Sequence, residues 1–580
     1  MLEHVASRDD VDSSASKGLT FGFGSTQEIC QAQARPDDWL SSMQLATLIS
    51  SRIVFPSYSA AVLLLDSYER SVDYVCHVLH LPSTRAMMRT AYLRLGRQET
   101  IAPGQAAVLL AVFAFSVYFY EAAPASEVAT GERDALALCR HWSKGAMDIL
   151  DYSQRHSTGS LEDVQACVIM SYVTYYLEGM SKKGRMLMAS AVAIARDLRL
   201  NRLDAEDDVV HKDDERTAQA VICQEVKRRI FWHLVATDWL QSTVSGPQEG
   251  MYFIHPHHIH VKLPKNCDHE FLAFDEIGTT GSESRPTSMT FFLAKLRLAH
   301  ICREITDTIP LETAKLMRTP YENIIAVDQK LKAFLSDLPF FLQLNPESRT
   351  RSRSLETVYD KVPLMRFLLL TTAHSRRCRL HQKFLLRLSS DARYTYSRRA
   401  CLESARAIIR AFDDSARRSD SPSIPTAIAR MASAVHYTHL ALTVMVMDLC
   451  FNKGEDDMEE RKQEVRAAMK MLEGVREASP LTDRSLHSLR QILHKSNIEL
   501  GGPIMAPIDN VSNTVQISQP GAETVLSNDG SPQLPPGLTV GDWNEAFTSL
   551  SNSWTLTDQE LSLGSATWDD IFSALNSRPF

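Results

Sequence analysis

With 580 residues, 44% of them hydrophobic, the chain is long enough for a large core and for two or three domains, although one large helical unit fits the same length. Its formal net charge of −8 excludes a whole-chain positive field that would draw it onto nucleic acid. Nine acidic residues and one arginine beyond position 500 carry that whole excess and leave the first 500 residues near neutral.

In chain order, Met1 to Lys17 is polar and acidic, unlike a secretory leader. Residues 1–36, rich in Ser, Asp, Gly and Gln, are predicted to be unstructured, with order starting near Pro36–Leu40. From residue 37 to about Leu500, apolar-periodic segments alternate with short Pro, Gly or Asp breaks, which predicts an all-α body over 37–500. The longest apolar stretch, Ala106 to Tyr120, is short for a membrane span and suits a buried helix, so a soluble intracellular protein is expected. In Gly184–Asn201, Leu187, Ala191, Ile194 and Leu198 fall on one helical face.

In Glu225–Ser242, Val226, Ile230, Leu234 and Thr237 line one side. Glu225 stands three and four residues before Arg228 and Arg229, spaced for surface ion pairs, and Asp238 is expected to meet a distant arginine inside the bundle. The run Lys227-Arg228-Arg229 reads as a phosphate contact or as an ion-paired helix face, the second being the commoner case. Met251–Leu263 is the best strand candidate. As a strand it would set His258 and His260 on one face, half of a metal site, with Cys267, Asp268, His269 and Glu270 the nearest further donors. A clamp loop on the bundle is the favoured reading, and no metal is expected.

Three polar segments, Asn201–Thr217, Gly278–Thr287 and Glu347–Ser354, read as loops. The alternating Arg349, Arg351 and Arg353 suit a nuclear import signal, a phosphorylation-sensitive loop or a solvated loop. Residues 501–580 lose their basic residues and fill with Ser, Asn, Pro, Gly and Thr, the composition of a disordered acidic tail. In its last island, Trp568, Ile571, Phe572 and Leu575 would share a helical face kept soluble by Asp569 and Asp570, as an activation segment would. Docking of that face back onto the bundle is the competing reading.

The ten cysteines lie no closer than 23 residues apart, so no pair has the spacing of a small zinc module; scattered single thiols suit a reducing compartment. No phosphate-loop, nucleophile-elbow or H-E-x-x-H motif is present, and neither a catalytic residue nor a cofactor is expected.

Several segments together resemble the fungal zinc-cluster transcription factors. Ala195-Arg196-Asp197-Leu198-Arg199-Leu200 is similar to their "ARDLGL" helix end. Glu225, Arg228, Arg229, Trp232, Asp238 and Ser242 are similar to the helix E-x-x-R-R-x-x-W-x-x-x-x-x-D-x-x-x-S. Gly246-Pro247-Gln248, then Tyr252, Pro256, His257-His258, Val261 and Leu263-Pro264, resemble a "GPQ-G-Y-I-P-H-V-LP" run; Leu380–Leu385 resembles "LHRPFL"; Ser397–Ile409 and Tyr68–Pro82 resemble further segments. The likeness covers about residues 55 to 450. It implies the family's helical regulatory domain without, in these residues, the six-cysteine DNA-reading module.

That resemblance implies a nuclear transcription regulator, controlling a metabolic or secondary-metabolite gene set through its helical domain and acidic tail. Its partners would be the transcription machinery or a coactivator, a DNA-binding partner factor and a small-molecule effector, with direct DNA binding by this chain in doubt. Two alternatives stay open at this point: a metabolite-sensing or inhibitory partner of a zinc-cluster factor, and an all-helical enzyme.

Overall fold

The computed structural model describes residues 19–34, 53–121, 126–205, 218–268 except 245, 272, 285–385 except 312, 392–416, 428–452 except 429, 456–476 and 482–500 except 496. A short strand, β1 (Phe21–Phe23), leads into helix α1 (Thr26–Ala34), and β2 (Ile53–Phe55) runs parallel to β1 with Phe21 opposite Ile53. Helices α2 (Tyr58–Ser71), α3 (Asp73–Cys76), α4 (Leu81–Gly96), α5 (Pro103–Phe119), α6 (Glu132–His156), α7 (Leu161–Glu178) and α8 (Lys182–Asp197) follow. Here α5 packs against α2, α6 and α7, and α7 against α8. Helix α9 (Ala218–Gln241) lies against α7 and α8 and packs on α10 (Thr290–Thr308). Then come α11 (Thr313–Arg318), α12 (Tyr321–Ser336), α13 (Pro346–Val358), α14 (Val362–Leu385), α15 (Thr395–Ala416), α16 (Ala432–Phe451), α17 (Met458–Glu473) and α18 (Thr482–Lys495). The α14–α15 pair rests on α16, which carries α17 and α18 on another side.

One continuous apolar cluster runs from Ile29 to Leu500, so the described body shares a single core. Helix α5 shows why. Pro103 opens it at N1, where the missing N–H costs nothing, and every residue from Ala106 to Val117 is buried. A helix apolar all round needs neighbours on every side, and α5 has them; no described helix is long and apolar enough to cross a membrane. Helix α7 starts on a capping box in which Asp163 N–H donates to Ser160 Oγ at 3.1 Å and Ser160 N–H to Asp163 Oδ2 at 2.9 Å.

Three expectations are corrected. Residues 19–34 are not unstructured: β1 pairs with β2, Ile29 is in the core, and Thr26 Oγ1 donates to Glu127 O at 2.9 Å. Their Phe-Gly-Phe and Ile anchors outweigh the polar composition around them. Glu347–Ser354 is not a loop but most of α13, started by Asn345, whose side chain accepts from Ser348 N–H at 2.8 Å, and by Pro346 at N1. Its buried stripe is made of serines. Ser352 Oγ meets the Arg366 guanidinium at 2.9 Å, so hydrophobic periodicity could not reveal it. Arg349 there pairs with Asp414 at 2.8 Å, and Arg351 lies 3.9 Å from the Phe340 ring centre. Met251–Leu263 is not a strand. It is an irregular strap with one 3₁₀ turn at Pro256–His258, where Pro256 has no N–H to give a ladder.

Candidate functional site

The strap from Met251 to Lys265 is held by four side chains that carry the family likeness and by two, Trp239 and Asp204, that do not. Asp238, near the end of α9, accepts from the backbone N–H of Phe253 at 2.9 Å and of Ile254 at 2.8 Å. Arg196, at the end of α8, donates to Phe253 O at 2.7 Å. Two α9 indoles reach across as well, Trp239 Nε1 to Ile254 O at 2.9 Å and Trp232 Nε1 to Lys262 O at 2.8 Å. Glu225 Oε1 accepts from Lys265 N–H at 2.9 Å. Arg228 grips Asp204 through Nε and Nη2, and Asp204 in turn accepts from Lys262 N–H at 2.8 Å. Burial pushes the Asp204 carboxyl up, but the Arg228 guanidinium and the Lys262 amide outweigh it and hold it below its ordinary range.

The pairs expected at Glu225 are present, at 3.6 Å to Arg228 and 3.4 Å to Arg229, but not at the surface: Glu225 and Arg229 are buried. The Arg228-Arg229 run is therefore committed to ion pairs within the fold. Among the described residues Asp238 makes no direct ion pair: its hydrogen-bond partners are two backbone amides, and Arg196, which donates to the Phe253 carbonyl, acts on it only through space. Asp197 ends α8. Ser242 Oγ donates to Trp239 O at 2.8 Å and lies 2.7 Å from Thr306 Oγ1, while Ser242 O accepts from Gly250 N–H at 2.7 Å, closing the turn that holds Gly246 and Pro247. Of the strap histidines, His255 stacks on His257, and its Nδ1 accepts from the His257 N–H at 3.3 Å. Trp568, Asp569, Asp570, Ile571, Phe572 and Leu575 lie outside the described residues.

Burial lifts Asp238 to about 6 against the pull of the two amides. Its folded value exceeds its unfolded one, near 3.8, so its stabilising share is full in acid and is lost as pH rises through about 6. The stability of the wild type relative to Asp238→Asn should therefore fall by up to about 2 kcal/mol between pH 4 and pH 7, then level off. Denaturant unfolding of both proteins at pH 4, 5, 6 and 7 measures it; a difference that grows with pH would refute the assignment.

The strap leads back, through the turn at Gly246-Pro247-Gln248, to the wall of a partly open cavity of about 210 Å³. Tyr172, Tyr175 and Tyr176 of α7, Phe291 and Leu298 of α10, Leu368 and Leu369 of α14, and Tyr437 of α16 supply an aromatic and aliphatic lining. Lys295 of α10 and Arg376 of α14 supply the only lysine and, with Arg185 of α8, the arginines of that lining. Burial lowers the Lys295 ammonium to about 8, and holds the Tyr172, Tyr175 and Tyr176 hydroxyls well above their ordinary range. A second hollow, of about 280 Å³, lies under the strap beside Val192, Phe231, Phe253 and His258. No group of three or more potential ligands suited to a metal occurs among the described residues.

Motif reading missed Lys295 and Arg376, because neither sits in a recognisable pattern. The signal was nevertheless present: Phe291, Lys295, Leu298 and Cys302 fall on one buried face of α10, and a lysine on an otherwise apolar stripe needs a reason.

The body is all-helical, and its motif helix α9 straps the segment that follows it. Comparison with known proteins assigns the family. The model of the fungal specific transcription factor domain matches residues 75–359, which include the strap and all its clamps. A "Probable transcription factor lepB" of Aspergillus flavus is 36% identical over 536 residues, 91% of this chain and 93% of that protein. An "Agnestins biosynthesis cluster transcription factor AgnL11" of Paecilomyces divaricatus is 31% identical over 76% of this chain, and "Transcription factor TAS2" of Pyricularia oryzae 30% identical over 60%. The chain spans 62% and 44% of those two relatives. The chain belongs to the fungal transcription factor family defined by that domain, and it is a fungal transcription regulator.

Proposed function

We propose that this regulator works in the nucleus, has no catalytic role, and controls a biosynthetic gene set by bringing its acidic tail to the transcription machinery. The observation that carries the reading is the 36% identity to a relative described as a transcription factor, sustained over 93% of that protein. The biosynthesis-cluster relative supports the kind of gene set. Within these 580 residues no cysteine pair has zinc-cluster spacing, and the body is near neutral. Sequence-specific contact with DNA is accordingly assigned to a partner factor.

The test tethers the chain to a reporter promoter through an unrelated DNA-binding module. The tethered chain should raise transcription. Replacing Trp568 and Phe572 together by alanine removes two large apolar anchors without altering charge, each worth about 2 kcal/mol or more in a small helix-in-groove contact. Reporter output should fall severalfold with the melting temperature unchanged. Unchanged output with a lowered melting temperature would show instead that the island docks on its own bundle.

A further inference from the structure

The cavity between α7, α10, α14 and α16 combines two things that a folded chain seldom keeps together without a third. Its walls are largely aromatic and aliphatic, and two of its lining side chains are cations withdrawn from water: Lys295 is 9% exposed and Arg376 4%. Among the described residues neither has a carboxylate partner. Lys295 Nζ has the Val75 carbonyl at 3.5 Å and the face of the Phe292 ring 5.5 Å from its centre, and its other near neighbours are the Cys76 thiol, which burial keeps protonated, and the His233 ring, which burial keeps neutral. Arg376 has the Ser375 hydroxyl at 3.1 Å and a contact with the Cys302 thiol, and its Nε has no hydrogen-bond partner. A buried charge without a counter-ion is costly, and folds tolerate it mainly where something else supplies the opposite charge. The hollow under the strap lacks this feature: its one arginine, Arg196, is already spent on the Phe253 carbonyl.

We propose that this cavity is a binding site for a small aromatic carboxylic acid, its ring system against Tyr172, Tyr175, Phe291 and Tyr437 and its acidic oxygens taken by Arg376 and Lys295. Flat aromatic walls favour ring stacking, and a guanidinium fork pairs a carboxylate through two parallel hydrogen bonds. The volume of about 210 Å³ falls below the roughly 300–1,000 Å³ of sites for drug-sized molecules, which selects one ring or two fused rings. The wall turn Gly246-Pro247-Gln248 stands immediately before the strap, so an occupant touches the turn that leads into it.

The proposal does not depend on the transcriptional role, because binding is read on the purified full chain. The probe is 3-hydroxy-2-naphthoate, a fluorescent two-ring acid, with 2-naphthol as its uncharged counterpart. The acid should bind saturably in the micromolar range and at least about tenfold more tightly than the naphthol. Arg376→Gln and Lys295→Met should each weaken the acid by about tenfold or more and leave the naphthol little changed. Their melting temperatures without ligand should not fall, since each removes an uncompensated buried charge. Equal affinity for the two probes, wild-type affinity in both variants, or no saturable binding of the acid at millimolar concentration would overturn the proposal. If the variants fail to fold, the two probes on the unaltered chain decide it.

Discussion

Replacing Glu225 with alanine should destabilise the fold by about 3–5 kcal/mol, the range for breaking one partner out of a buried ion pair. Glu225 is fully buried, and its Oε1 does two jobs at once, accepting from the Lys265 N–H at 2.9 Å and facing Arg229 Nε at 3.4 Å. Arg229 is 1% exposed, and its Nη1 and Nη2 have no hydrogen-bond partners, so Glu225 is the counter-ion that makes its burial tolerable. With Glu225 gone, a guanidinium is left dry and the C-terminal tether of the strap is lost. The measurement is the thermal or denaturant midpoint of the purified chain. The double variant Glu225→Leu/Arg229→Met removes both charges and should recover much of the loss, because a well-packed apolar pair often replaces an ion pair at little cost. A double variant no better than Glu225→Ala would locate the effect in packing around α9, not in the stranded charge.

That pair shows how far the sequence could be read. The spacing Glu225, Arg228, Arg229 announced the ion pairs, since residues three and four apart on a helix are neighbours whatever surrounds them. It could not announce their burial, which is set by the strap and by Asp204, elements 20 to 40 residues away in the chain. Helix α5 was the easiest to read, for an apolar run with no polar face has nowhere to sit but the interior. In α8 the stripe Leu187, Ala191, Ile194, Leu198 was close but turned: Leu187, Ala191 and Ala195, with Met188 and Val192, face the core, while Leu198 is 37% exposed at the helix end. Short alanines carry little hydrophobic signal but allow close packing, and α8 packs against α7. The strap was read from its family likeness as a clamped loop, and Arg196, Glu225, Trp232 and Asp238 among its clamps are likeness residues, whereas Trp239 and Asp204 are not. The cavity was illegible, because its two cations come from helices 81 residues apart and meet only in the fold.

The second large effect lies where two other family-like segments meet. Asp328, on α12, has a fully buried carboxylate. Arg377 Nε donates to its Oδ1 at 2.6 Å, Arg377 Nη2 and the Tyr396 hydroxyl donate to its Oδ2, and His381 Nε2 lies 3.1 Å from Oδ1. His381 Nδ1 is in turn 2.9 Å from Ser397 Oγ, so the Leu380–Leu385 and Ser397–Ile409 segments are joined by an imidazole whose other nitrogen rests against the Asp328 carboxylate. Burial drives the Asp328 carboxyl up, and His381 and Arg377 overcome it and hold it well below the usual carboxylate range. Asp328→Ala should cost about 3–5 kcal/mol at pH 7, since it strands Arg377 in the interior with Glu403, at 3.3 Å and half exposed, as its one remaining acid among the described residues. Because the folded value is depressed, this stabilisation is present above the unfolded value, near 3.8, and is lost as pH falls below it. The gap in denaturation midpoint between the wild type and Asp328→Asn should thus be widest near neutrality and close in strong acid, opposite in sign to the trend at Asp238. Equal midpoints for the two proteins at pH 7 would mean that α12, α14 and α15 are held together by apolar packing alone.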